Sequence, residues 1–544
     1  MAKKSQDRGG KQAGEGLRDP GKGVTLRYWD PEDETFWNRS GKRIASRNLW
    51  ISIPNLLCGF AVWLYWSIII VQMQNLHALG FFPFAEDKSL LYTLPAIAGL
   101  AGATLRIPNS FTIAISGGRN VIFVTSLLLI APSLGVGIAL QNAETTWVTF
   151  AMLAALSGVG GGAFASSMSN ISFFFPKKVQ GTSLGLNAGL GNVGVSVMQL
   201  LLPFVMTFGL FGVLGGGSQT LPPELGGGQV WIQNCGLVWV PILVVLAVLA
   251  FFKMNNLPQH NVPATPLAVA KMLWLELLGF AGAALAVFLL VADWGGFPGL
   301  AKVFIVLLVA VLVTLGLMRF LTPAATKKNL RGQFAIFREK HNWVMTWLYT
   351  MTFGSFIGYS AAFPKLIQDV FGSLPDGSLN PNAPNPLHYA WLGPLVGSLI
   401  RPVGGWLSDR LGGARVTQWD TVVMIGAALG VAYTVQAARS AASPELYWWP
   451  FLFLFLLLFT TTGIGNGSTF RMIPIIFKPA QAGPVLGWTS AIAAYGAFLI
   501  PRIFGMQIKA GHAEYALYGF AAYYLSCLIV NWWFYARKNA EIPC

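Results

Sequence analysis

Residues 94–116 read LPAIAGLAGATLRIPNSFTIAIS, an almost unbroken apolar run with Arg106 in its middle. About 20 such residues suffice to cross a bilayer as a helix. A second run, AWLGPLVGSLIRPVGGWLSDRLGG at 390–413, holds Arg401 in the same manner. A guanidinium at that depth costs between about 2.5 and 17 kcal/mol, depending on how snorkelling and bilayer thinning are counted. It cannot escape by losing its proton, because its pKa stays above about 12. Each arginine therefore calls for an anionic partner, and neither run offers an acid at comparable depth. The competing explanations are pairing with helix C-terminal carbonyls or snorkelling. Snorkelling suits Arg401 better, since Asp409 follows eight residues later, about 12 Å along a helix.

The wider composition agrees with a membrane chain. Of 544 residues 54% are hydrophobic and only 10% charged, against about 25% charged in soluble domains. Fourteen runs are predicted to span, near 49–73, 91–116, 121–140, 147–175, 181–207, 230–252, 267–292, 299–321, 343–371, 388–408, 416–438, 447–472, 484–505 and 514–536. They are continuously apolar without period-2 alternation, so an all-α polytopic protein is expected and not a barrel.

The net charge of +15 has a topological cause. Lys177 and Lys178, Lys327, Lys328 and Arg331, Arg410 and Arg415, and Arg537 and Lys538 all fall in alternate short connections. The intervening QNAETT (141–146) and FGVLGGGSQTLPPELGGGQ (211–229) carry no Lys or Arg. This positive-inside pattern predicts a multi-pass protein with both termini in the cytoplasm. No basic face with interleaved aromatics appears, so nucleic acid is not an expected partner. The first 47 residues are polar, and the first span is too long and too late for a cleaved signal peptide. GGKQAGEGLRDPGKG (9–23) is expected to be disordered at least at its beginning, whereas WDPEDETFW (29–37) is expected to fold back on the cytoplasmic surface. Cys58, Cys235, Cys527 and Cys544 lack disulfide or metal spacing and read as small packing residues. No cofactor or metal site and no nucleophile–base constellation is predicted, which argues against an enzyme.

The two arginines lie in matching contexts, each followed eleven residues later by a Gly pair, 117–118 and 412–413. SSMSNISFFFPKKVQGTSLGLNAGLGNVG (166–194) likewise matches NGSTFRMIPIIFKPAQAGPVLGWTSAIAAYG (466–496) in its sequence of features. Both have a small polar helix end, a basic Pro-bearing link and a Gly-rich helix. Two repeated six-helix units about an axis along the membrane normal form the major facilitator architecture. The expected division is a cytoplasmic tail at 1–47, bundles at 48–255 and 341–538, an inserted transmembrane hairpin with linker at 256–340, and a tail at 539–544. SDRLGGAR (408–415) resembles the short loop motif of that superfamily, and its counterpart ISGGRN (115–120) lacks the Asp.

FASSMSNISFFFPKKVQGTSLGLNAGLGNVGVSVMQL (164–200) and GIGNGSTFRMIPIIF (463–477) resemble the two signatures of nitrate/nitrite porters. RIASRNLWIS (43–52) resembles the bacterial NarK-type members. The similarity covers roughly 30–255 and 340–540, but neither the polar tail nor the hairpin, which many members lack.

The resemblance implies that Arg106 and Arg401 hold one nitrate or nitrite between them, the planar forked donor suiting a planar oxyanion. It also implies that Phe164 and Phe353 wall the anion and that Tyr349 donates to it. By spacing alone these aromatics read as ordinary core. Asn187 can either donate to the anion or tie helices together. Gly181, Gly185, Gly189, Gly191 and Gly194, with Gly463, Gly465 and Gly467, let helices approach closely, either as static contacts or as faces on which helices rock. Asp409 belongs to the loop motif, and Arg471, Arg502 and Lys365 read as end-of-helix residues.

No acid or histidine stands in mid-span in the twelve family-like helices. That favours nitrate-for-nitrite exchange over a proton-coupled nitrate symporter, with an anion channel or membrane sensor more remote. Glu276, in KMLWLELLGFAG (271–282), lies in the hairpin. It could carry a proton only if that hairpin touches the core; otherwise the hairpin is a peripheral stabilising or partner-binding element. A monomer in lipid, in a bacterial cytoplasmic (inner) membrane, is expected.

Overall fold

The computed structural model describes residues 19–77, 79–221 and 227–544, without the side chains of residues 88, 89, 181, 479 and 480. Among the described residues, twelve helices are long and apolar enough to cross a membrane. In the first half they comprise α1 (Lys42–Leu64) running into α2 (Trp66–His77), α3 (Lys88–Ser116), α4 (Gly118–Ala139), α5 (Trp147–Phe174), α6 (Lys177–Val205) and α7 (Trp239–Lys253). The hairpin is α8 (Thr265–Val291) and α9 (Gly299–Leu321).

Two of the fourteen expected spans fall outside that set, although both are helical. A π-helical turn at Thr350–Gly354 separates α10 (Lys340–Tyr349) from α11 (Ser355–Phe371). A turn at Ile400 separates α12 (Leu392–Leu399) from α13 (Arg401–Leu411). These interrupted helices carry Tyr349, Phe353 and Arg401, and π-turns inside helices commonly mark functional positions. The second half continues with α14 (Gly413–Ser440), α15 (Trp448–Ile476), α16 (Pro479–Ala493), α17 (Gly496–Lys509) and α18 (Ala513–Asn531).

Packing follows the repeat. In the first half α3 lies along α5, and in the second α12 and α13 lie along α15. Each arginine helix also leans on the opposite half: α3 packs against α16 and α17, while α12 and α13 pack against α6. Missing side chains permit these approaches. A Cβ on Gly160 would stand 2.1 Å from Gly59 O, and one on Gly463 would stand 2.3 Å from Gly397 O. Because the obstacle is backbone in both cases, no rotamer change could relieve it.

The hairpin is not peripheral. α8 packs along α3, and a Cβ on Gly279 would meet Pro108 and Leu105 at 2.9 and 3.0 Å. The 29–37 segment folds back as expected. Trp29 Nε1 donates to Phe173 O at 3.1 Å, and Glu32 accepts from the Lys177 backbone N–H at 2.9 Å, at the start of α6. The beginning of the 9–23 stretch lies outside the described residues. Cys58, Cys235 and Cys527 are buried and Cys544 is half-buried, all as free thiols.

Candidate functional site

Arg106 is wholly buried beside the contact between halves. Its Nε donates to Gly161 O at 2.6 Å, within its own half, and its Nη1 donates to Ser490 O at 3.1 Å, in α16 of the other. Nη2 has no partner among the described residues. The guanidinium carbon lies 4.7 Å from the Phe164 ring centroid, 4.9 Å from Phe353, 5.2 Å from Trp63 and 5.9 Å from Phe60. Two carbonyls and four aromatic rings offset part of the cost of burying this charge.

Arg401 begins α13 and is buried as well. Its guanidinium carbon lies 5.7 Å from the same Phe353 ring. The Tyr349 hydroxyl faces it, also within electrostatic reach of Arg106, but Arg401 Nε, Nη1 and Nη2 all lack a well-formed hydrogen bond. One aromatic ring therefore stands beside two like charges whose forked donors are largely unused. An acceptor-only, planar monoanion fits that donor set, since neither arginine can accept a hydrogen bond.

The predicted aromatics come together around the arginines. Phe164 and Phe353 stack across the halves with centroids 5.3 Å apart, and Tyr349 stacks on Phe353 at 5.5 Å. Asn187 is placed differently: its amide donates to Ser167 Oγ at 2.9 Å, and Ser167 bonds Ser52 at 2.8 Å. It thus ties α6 to α5 and α1, while its amide oxygen has no partner among the described residues.

The glycines divide by neighbourhood. A Cβ on Gly189 would be 3.5 Å from Ser398 O, at the contact between halves. Those on Gly191 and Gly194 would meet Leu56 and Leu57 of α1, and that on Gly185 would meet nothing within 4 Å. Gly467 abuts Arg401 O, Gly465 abuts Thr352 and Asp420, and the packing of Gly181 lies outside the described residues.

Of the residues expected at helix ends, Lys365 departs, whereas Arg471 lies partly exposed near the end of α15. Lys365 is buried and paired with Asp369, which also accepts from the Tyr92 hydroxyl of the first half. Arg471 pairs with Asp409, joining α15 to α13. Asp420, only seven residues into α14, turns inward and is buried against Gly465. Arg502 is half-buried near Lys302.

Sequence reasoning missed Gly161, Ser490, Trp63 and Phe60 around Arg106. The run GVGGG at 158–162 was a usable signal for the first, because a bare helix face lets a buried arginine come close to a main-chain carbonyl.

No family model matches the chain. It is 38% identical to a Thermus thermophilus protein described as "Probable nitrate/nitrite antiporter NarK2", over 96% of this chain and 99% of that one. It is 33% identical to the nitrate/nitrite transporter NarU of Escherichia coli, over 94% and 96%. Among solved structures it resembles the major facilitator proton:xylose symporter XylE, with TM-score 0.57, 12% identity and coverage of 90% and 96%. A peptide transporter of the POT family gives TM-score 0.55 at 15% identity, with coverage of 89% and 96%.

Proposed function

This chain belongs to the nitrate/nitrite transporter family of the major facilitator superfamily, and from that membership we propose that it exchanges nitrate for nitrite by alternating access. The anion sits between Arg106 and Arg401, with Phe164 and Phe353 as walls and Tyr349 as a further donor. Nitrate enters and nitrite leaves, through a monomer in a bacterial inner membrane with both termini cytoplasmic.

The observation that carries this reading is the pair of buried guanidiniums beside one phenylalanine, four of their nitrogens without a well-formed hydrogen bond among the described residues. Two buried like charges oppose closure. One bound monoanion offsets that repulsion, so the loaded carrier reorients more readily than the empty one. A carrier that crosses only when loaded is an exchanger. The Gly463–Gly397 and Gly467–Arg401 approaches supply faces on which α15 and the arginine helix can shift, and the Arg471–Asp409 pair connects their ends.

Proteoliposomes loaded with nitrite should take up external nitrate rapidly, and empty ones should not. Uptake into empty liposomes driven by a pH gradient would instead establish proton-coupled symport. One observation favours that second reading, namely buried Glu276 against the Arg106 helix.

A further inference from the structure

Glu276 is nine-tenths or more buried in α8, at the face packed on α3. Asn109 Nδ2 donates to its Oε1, and the same amide nitrogen bonds Leu105 O. Two neighbouring oxygens are left over: Glu276 Oε2 and Asn109 Oδ1 are both buried without hydrogen-bond partners among the described residues. Both are acceptors while the glutamate is ionised, so neither can satisfy the other. One proton on Oε2 changes that. The carboxylic acid then donates to Asn109 Oδ1 while Oε1 accepts from Nδ2, closing a cyclic acid–amide pair.

The charged surroundings point the same way. On the helices packed against α8, the described charged or titratable side chains are Arg106, Tyr92, Arg119, Lys302 and Arg319, with Lys271 on α8 itself. None forms an ion pair with Glu276. A carboxylate buried in a membrane without a cation is disfavoured relative to its neutral acid.

Asn109 also connects Glu276 to the anion site. It follows Arg106 by three residues, about 4.5 Å along the helix and on a neighbouring face. A Cβ on Gly162 would meet Asn109 Nδ2 at 2.8 Å, and the adjacent Gly161 carbonyl accepts from Arg106 Nε. We propose that Glu276 and Asn109 form a proton-binding site, brought in by the inserted hairpin, whose occupancy sets the anion affinity of Arg106.

This rests on Arg106 being an anion ligand. With Glu276 neutral, Arg106 directs its full charge at the anion. With Glu276 ionised, a negative charge one turn away competes for it and Asn109 loses half of its pairing. Proton and anion thus favour each other, and by linkage a bound anion raises the proton affinity of Glu276 by the same factor.

The decisive variant is Glu276→Gln, because a glutamine amide reproduces the neutral acid: it donates to Asn109 Oδ1 and accepts from Nδ2. Nitrate binding to purified wild-type protein should weaken by roughly fivefold or more across the titration of Glu276. E276Q should hold the low-pH affinity throughout. Identical pH profiles for the two proteins would overturn the link. Infrared difference spectra between about pH 6 and about pH 9 supply an anion-independent readout. The wild type should show a carboxylic-acid band that E276Q lacks, with its midpoint moved upward by nitrate. Absence of that band in the wild type would overturn the proton site, and a midpoint unmoved by bound nitrate would overturn the coupling. If the band is present but nitrate binds at no pH, the proton site stands and the transport reading falls.

Discussion

The ring of Phe353 stacks on that of Phe164 with centroids 5.3 Å apart, one ring from each half, and Arg106 and Arg401 both lie against Phe353. Such a stack contributes about 0.5–1.5 kcal/mol, weak enough to part in each cycle of the proposed exchange. Phe353→Ala removes this stack together with an aromatic contact to each arginine. Nitrite-loaded proteoliposomes carrying F353A should exchange roughly tenfold more slowly, a barrier change of about 1.4 kcal/mol, and should now leak nitrate without internal anion. Wild-type exchange with no leak would show that the ring is not the barrier.

Arg106→Lys and Arg401→Lys keep the charge and discard the fork. At 106 the lysine must forgo Gly161 O or Ser490 O, or leave the anion with a single point contact. A hydrogen bond to a charged group contributes about 1.5–3 kcal/mol, so nitrate affinity should fall at least tenfold in each variant. The thermal midpoint should move little, since a buried cation remains in both. Full exchange by either purified variant would remove that arginine from the site.

Both arginines were legible because a mid-span guanidinium has few tolerable explanations, and the repeat made the two a pair. The hairpin contact was not legible. Its helix α8 is apolar on every side, so no polar stripe announced that Gly279 would meet Pro108 or that Glu276 would reach Asn109. Lys365 failed for a related reason: its ion-pair partner Asp369 stands four residues on, but Tyr92, which donates to Asp369 and packs its ring against the Lys365 ammonium, lies in the other half, at a sequence distance where spacing carries no information. Asn187 looked equally suited to an anion or to Ser167, because an amide's chemistry does not say which way it points.

His260 lies in the connection between α7 and α8, its ring 4.8 Å from that of Phe173. Burial lowers its pKa from 6.5 to about 4. Between those values the unfolded chain binds the proton and the folded one does not, so stability rises with pH there. The contribution is complete above about pH 6.5 and is lost as pH falls toward 4, amounting to at most about 3 kcal/mol. The thermal midpoint should therefore drop between pH 7 and pH 5, and His260→Gln should flatten that dependence. Parallel curves for the two proteins would rule His260 out as the cause.

Gly467 and Gly185 were expected to act alike, yet their surroundings differ. A Cβ on Gly467 would stand 2.4 Å from Arg401 O and 2.6 Å from Gly405 N, whereas one on Gly185 would meet nothing within 4 Å. Since the obstacle at 467 is main chain, α15 and α13 must move apart, which takes Arg401 on α13 out of register with Phe353. Overpacking of this kind costs about 1–3 kcal/mol. Gly467→Ala should lower both the thermal midpoint and the exchange rate, while Gly185→Ala should leave the midpoint unchanged or slightly raised, as alanine favours a helix. If α15 and α13 slide on each other during transport, G467A should lose exchange out of proportion to stability, even when assayed well below its melting point. A rate that simply tracks the folded fraction would make Gly467 a static contact.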